Sequence, residues 1–186
     1  MNETLETLLN RRSIKVYKNE QIKAEELQTI LEAGKFAPSA MNEQPWHFTV
    51  VQNKEVLQKI TDVTKEVYEE SGIPAYEQRA KVENFSPFYN APTYIIVSAD
   101  ENALAPQADS AAALGNLLIA AESLGIGSSW IHAIDFAHTT EKGKALSKEL
   151  AIPKGYIPQC SGSFGYNGAE KPAAPPRKDG TVNIIK

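Results

Sequence analysis

The chain has 186 residues, 42% apolar and 23% charged, with a net charge of −4; it can bury a single core and resembles neither disordered nor membrane proteins in composition. The acidic balance argues against general nucleic-acid binding, which needs a basic face to release counterions. The longest nearly uncharged run, 103–121, is interrupted by Gln107, Asp109, Ser110 and Asn116, so no membrane span is expected.

Apolar spacing at Leu5, Leu8 and Leu9 predicts a first helix, and Leu27, Ile30, Leu31 and Gly34 predict a second that closes over 34–38. Between them stands Arg11-Arg12-Ser13-Ile14-Lys15. Two guanidiniums can fork onto a phosphate and the serine adds a neutral donor; a solvated basic helix end is the other reading. Next, Ser39, Asn42 and Gln44 lie between Pro38 and Pro45 and offer amide and hydroxyl groups to a planar heterocycle. An ordinary capped turn is the alternative, and Trp46 reads as core.

HFTVVQ at 47–52 and TYIIVSA at 93–99, preceded by Pro45 and Pro92, read as neighbouring strands. Val56, Ile60, Val63 and Val67 predict a helix over 55–70. From 71 to 92 glycine, proline and aromatic residues alternate without a period, which predicts a mobile excursion; its Tyr76, Phe85, Phe88 and Tyr89 either pack a surface loop or stack on a flat substrate. The helix expected over 105–124 is apolar nearly all round and suits burial against a partner subunit, with Gly125 as its cap.

Two more strands follow at 125–131 and 155–166, with a charged helix over 140–150 between them. His47 reads as hydrogen-bonded and partly buried, His138 as an exposed loop residue. Cys160, the one cysteine, reads as a small buried apolar group, and no disulfide or multi-cysteine motif is possible. No ligand spacing predicts a metal site. No glycine-rich phosphate loop follows a strand, so a nicotinamide nucleotide would bind transiently. GYNGAEKPAAPPRK at 165–178 holds three prolines and two glycines, which predicts that 165–186 is an extended C-terminal arm. Its end, 181–185, is β-prone and suits an edge strand of its own chain or an addition to a partner's sheet. The element order, without regular βαβ alternation, predicts one α+β domain over 1–186. MNETLETLLNRRS shows no basic leader before an apolar run, so the expected location is cytoplasmic.

Arg11–Lys15 and Pro38–Phe48 at this spacing resemble the opening motifs of the FMN-dependent nitroreductase family. Asn90-Ala91-Pro92, the 109–124 helix, LGIGSSWI at 124–131 and Pro175-Pro176-Arg177-Lys178 resemble further family landmarks in family order, over nearly the whole chain. The resemblance implies a central mixed or antiparallel sheet flanked by helices, in an intertwined homodimer with two FMN sites at its interface. It places Arg11, Arg12 and Ser13 at the phosphate and ribityl end, with Arg177 reaching the same phosphate. Lys15 would approach flavin N1–O2, where a cation favours the reduced form. Pro38, Ser39, Ala40, Met41 and Asn42 would come from the partner, and Trp130, Ile131, His132 and Ala133 would run past the ring with a backbone N–H toward N5. His132 stands where one branch has an acidic residue and then a glycine, so either its backbone alone matters or its imidazole, able to titrate near neutral pH, adds side-chain chemistry. Residues 71–90 replace a region that often extends over the active site.

The implied activity is transfer of hydride from NADH or NADPH through flavin N5 to a small-molecule acceptor such as a nitroaromatic, a quinone or free flavin. One pocket serves both substrates, and no side-chain general acid is assigned. The alternatives are an FMN enzyme with a narrower task (enone reduction, dehalogenation or ring oxidation), a non-catalytic FMN-binding module, and an interaction domain without cofactor.

Overall fold

The computed structural model describes residues 1–186. Its elements in chain order are α1 (Glu3–Asn10), α2 (Ala24–Lys35), β1 (Trp46–Val51), α3 (Lys54–Glu69), α4 (Pro74–Ala80), β2 (Thr93–Asp100), α5 (Pro106–Ser123), β3 (Gly127–Ile131), α6 (Ala133–His138), α7 (Glu141–Glu149) and β4 (Tyr156–Gly165). The strands form one sheet in the order β1-β2-β4-β3, every pair antiparallel. The expected neighbours β1 and β2 pair from Trp46 opposite Ala99 to Val51 opposite Tyr94. Of the mixed sheet also considered, one parallel bridge remains, Ser13 to Ser128.

Central β2 is apolar on both faces because both are covered, and its side chains alternate between two cores. Ile95 and Val97 join Ile30, Leu114, Leu117 and Phe164 beneath α2 and α5. Tyr94 and Ile96 join Leu57, Ile60, Ile134 and Leu146 beneath α3, α6 and α7. Gly34 brings α2 close to α5, since a Cβ there would stand 2.6 Å from Leu117 Cδ2. The α5 helix stops at Gly125, whose φ of +72° disfavours any residue with a Cβ. Ile126 N–H then returns to Ala121 C=O at 2.8 Å, closing the orphan carbonyls of the last turn. No helix is long and apolar enough to cross a membrane.

Four expectations are corrected. Residues 71–92 form α4 and a series of turns, held by aromatic packing: Tyr76 stacks on Tyr68 at 4.6 Å, and Phe88, 3% exposed, meets Tyr94 at 4.9 Å. A seven-residue helix is too short to show a period. His138 closes α6 and is half-buried, with Nδ1 2.9 Å from Ser147 Oγ. His47 is half-buried as expected, but its ring lies edge-on to Tyr156 at 6.0 Å and takes no hydrogen bond from the chain. The last residues, 181–186, are exposed and form no strand with their own chain.

Candidate active site

Arg11 caps the C-terminus of α1, its N–H donating to Thr7 C=O at 3.0 Å, so the cluster begins as the basic helix end the sequence also allowed and then leaves the helix. After α1 the chain turns extended: Ile14 N–H donates to Ser128 C=O at 2.9 Å, Lys18 N–H to Tyr166 C=O at 2.9 Å, and Gly168 N–H to Val16 C=O at 2.9 Å. The segment is therefore stitched to the start of β3 and to the chain leaving β4. Buried Ile14 anchors it, and strand alternation turns Ser13 and Lys15 outward, where both are exposed. Gly127 permits the approach, because a Cβ there would collide with Asn167 Oδ1 and the Ile14 side chain.

Arg11 and Arg12 are half-buried against this edge. Arg12 Nη1 donates to Leu9 C=O and Arg11 C=O, both at 2.7 Å, which fixes its fork. Arg11 Nη1 and Arg12 Nε remain buried without a partner, as do Ser128 Oγ and Asn167 Oδ1. Unpaired buried donors cost about 1–3 kcal/mol each, more when charged. Two guanidinium donors left so at one sheet edge fit an oxygen-rich dianion such as a phosphate ester.

β3 carries Trp130 and Ile131 about 10 Å farther along, at a strand rise of about 3.3 Å per residue, and leads through His132 into Ala133 at the start of α6. Ile131 and Ala133 are buried, while Trp130 Nε1 has no partner. His132 is exposed at the head of α6, with Nδ1 3.3 Å from Asp135 Oδ2 and its ring 5.7 Å from that of Trp130. Burial holds the Asp135 carboxyl above its ordinary range, against the opposing pull of His132. Arg11, Arg12, Ser13 and Lys15 are thus brought to one edge with Trp130, Ile131, His132 and Ala133.

The Pro38–Asn42 loop lies elsewhere. It leads into β1, the opposite edge of the sheet, and Ala40 N–H is held by Asp109 Oδ1 at 3.0 Å in the first turn of α5. Ile14 and Gly127 meet just beyond the other end of that helix, about 20 Å away at a rise of about 1.5 Å per residue. The loop is strained: Met41, Asn42 and Gln44 adopt φ of 49°, 57° and 48°, and Met41 is 85% exposed. Arg177 sits on the exposed tail. That tail is tied to the end of α5 by a Lys171–Glu122 ion pair, and no element of the chain fixes Arg177 beside Arg11.

Sequence reading passed over Asp109, Ser128 and Asn167. Asp109 alone carried a signal, as the single charge in the first four turns of an otherwise apolar helix.

A model of the nitroreductase family matches residues 8–166. The FMN reductase (NAD(P)H) of Bacillus subtilis is 30% identical over 187 residues, covering 95% of this chain and 70% of that protein. A nitroreductase with bound FMN from Bacteroides fragilis has the same fold, with a TM-score of 0.94 at 34% identity and all of both chains covered. One from Desulfitobacterium hafniense, also with bound FMN, gives 0.87 at 33% over both full chains. The antiparallel sheet flanked by helices defines an α+β protein. The chain belongs to the nitroreductase family.

Proposed function

We propose that the protein is an FMN-dependent NAD(P)H oxidoreductase that works as a homodimer with two flavin sites at its interface. The observation that carries this reading is the buried, unpaired Arg11 Nη1 and Arg12 Nε at the edge of the sheet, which fit the flavin phosphate. When bound, FMN supplies the redox chemistry, relaying hydride at N5 from NADH or NADPH to an electron-poor acceptor such as a nitroaromatic or quinone in a two-step, ping-pong cycle.

The chain's own residues bind, orient and charge the site. Arg11, Arg12 and Ser13 take the phosphate and ribityl end, with Arg177 from the tail as a third cation on the phosphate. Lys15, exposed on the same edge, puts a positive charge at N1–O2 and favours the reduced ring. The backbone of Trp130, Ile131, His132 and Ala133 runs toward N5.

Two copies are needed because Pro38, Ser39, Ala40, Met41 and Asn42 stand some 20 Å from the arginines of their own chain, by the α5 measure above. A second copy can present that loop to the first. Exposed apolar side chains support the same assembly: Leu5, Leu8 and Leu9 on α1, Phe36 and Met41 near the loop, and Val182, Ile184 and Ile185 on the tail. The free edge of β1 and the β-prone tail end are suited to each other across such a dimer.

The absorbance spectrum of the purified protein, with anaerobic addition of NADH or NADPH, tests the reading. A yellow protein that bleaches with either nucleotide is expected. Colourless protein after FMN addition refutes the flavin site, and yellow protein that neither nucleotide bleaches refutes the reductase.

A further inference from the structure

The turns after α4 close, with Lys15, around a cavity of about 350 Å³, at the small end of the range for ligand pockets. Lys15, Arg79, Asn84, Phe85, Tyr89 and Asn90 supply most of its wall, and no carboxylate lines it. Lys15 Nζ lies 5.3 Å from the centre of the Tyr89 ring and the Arg79 guanidinium 5.8 Å from it. Neither cation takes part in any of the chain's ion pairs, which are made by other residues. The cavity thus carries two uncompensated positive charges beside two aromatic rings.

The backbone around it is held in a costly form. Asn84, Tyr89 and Asn90 adopt φ of 56°, 58° and 54°, left-handed values that are rare outside glycine, most of all for an aromatic residue. Asparagine enters this region readily, so it is Tyr89 that indicates a geometry fixed by the surrounding packing, and strain of this kind concentrates at ligand sites. The Tyr89 phenol reports the local field: burial works to raise its pKa, yet the Arg79 and Lys15 cations outweigh that and hold it below its ordinary value.

We propose that this cavity seats the acidic group of the acceptor, so that the substrate class is a flat aromatic acid rather than a neutral nitroaromatic or quinone. Arg79 receives the carboxylate, Tyr89 and Phe85 face the ring, and Lys15 stands between the acid and the flavin edge. The inference rests on the flavin reading above for the direction in which the acceptor ring points. A nicotinamide dinucleotide carries anionic groups too, but a cavity of this size suits one substituted ring and its acid.

The test compares 4-nitrobenzoate with its methyl ester, binding each by calorimetry to FMN-loaded protein and to Arg79→Gln, with Arg79→Lys as the charge-retaining control. The acid is expected to bind about threefold more tightly than the ester, and Arg79→Gln to remove that preference, as the loss of one exposed charge pair predicts. Arg79→Lys is expected to retain part of it. Equal binding of acid and ester, or an equal loss for both in Arg79→Gln, overturns the proposal. So does a variant in which only the KM for NADH or NADPH rises, which would assign the cation to the nucleotide phosphates. The flavin spectrum of each sample is read separately: if no FMN binds, the parent reading fails, and calorimetry on the same protein still decides whether the cavity prefers an acid.

Discussion

Replacing Asp109 with alanine probes the link between the strained loop and the flavin site. Asp109 is 5% exposed and its Oδ1 accepts the Ala40 N–H at 3.0 Å; a hydrogen bond to a charged acceptor contributes about 1.5–3 kcal/mol. The loop it holds contains Met41, Asn42 and Gln44 in left-handed backbone, at about 1 kcal/mol or more each. Two further side-chain restraints act on it, Gln44 N–H to Ser39 Oγ at 3.0 Å and Leu104 N–H to Glu43 Oε2 at 2.9 Å. Strain and restraint are of similar size, so Asp109→Ala loosens the Ala40 side of the loop while Glu43 still ties its end to Leu104, just before α5. If that loop completes the neighbour's cradle, a loss of about 2 kcal/mol appears as a roughly 30-fold rise in the FMN Kd. Asp109→Asn keeps an oxygen in place and should lose only about threefold, the difference between charged and neutral acceptors. Quenching of flavin fluorescence on titration into apo protein measures both, with urea unfolding of the apo protein alongside. An Asp109→Ala protein that is less stable yet binds FMN as tightly as wild type would refute the reasoning.

Mixed dimers of Arg12→Ala and Asp109→Ala subunits should regain one tight flavin site per dimer, because one site then receives both lesions and the other neither; no recovery would mean that loop and arginine serve the flavin of one chain. Arg177→Ala should weaken FMN about tenfold through loss of one charge-assisted bond, with the thermal midpoint of the apo protein unchanged because the residue is exposed on its own chain. Gly34→Ala should cost about 1–3 kcal/mol by overpacking, since the new Cβ meets Leu117 Cδ2 at 2.6 Å and Phe48 Cζ at 3.1 Å; an unchanged urea midpoint would contradict the close α2–α5 contact. Burial pushes the Cys160 thiol up from 9.0 to about 12, so native protein should resist iodoacetamide at neutral pH and react once unfolded. In the unfolded chain that thiol ionises first, so its contribution to stability is complete below pH 9 and declines as pH rises toward 12, by about 1.4 kcal/mol per unit. Buried tyrosines such as Tyr68 add a slope of the same sign, so the Cys160→Ser variant should fall less steeply than wild type between about pH 9 and 12, and identical slopes in the two proteins would show that the thiol is not buried.

Much of this protein is legible in its sequence, for local reasons. The α3 and α5 helices run 16 and 18 residues, long enough for a period or an all-apolar run to emerge above chance. β2 stands out because a strand covered on both faces reads as a nearly continuous apolar run, here Tyr94 to Val97. Arg11 and Arg12 are visible as a pair of guanidiniums at the end of the first helical period. By contrast α4 and α6 run 7 and 6 residues and leave no periodic trace. His138 looks like a loop residue because its partner Ser147 belongs to the next helix.

What the sequence by itself determined is the set of elements, the apolar faces and the residue types able to hold a phosphate, since each depends on neighbours within a few positions. Only the tertiary structure decided which of those residues meet. Ser13 finds Ser128 through a sheet bridge, Lys15 and Arg79 flank Tyr89 across a turn, and the Pro38–Asn42 loop is carried to the far end of α5. Such pairings are long-range and follow from how two cores pack on the faces of one sheet, so no local pattern of residues encodes them.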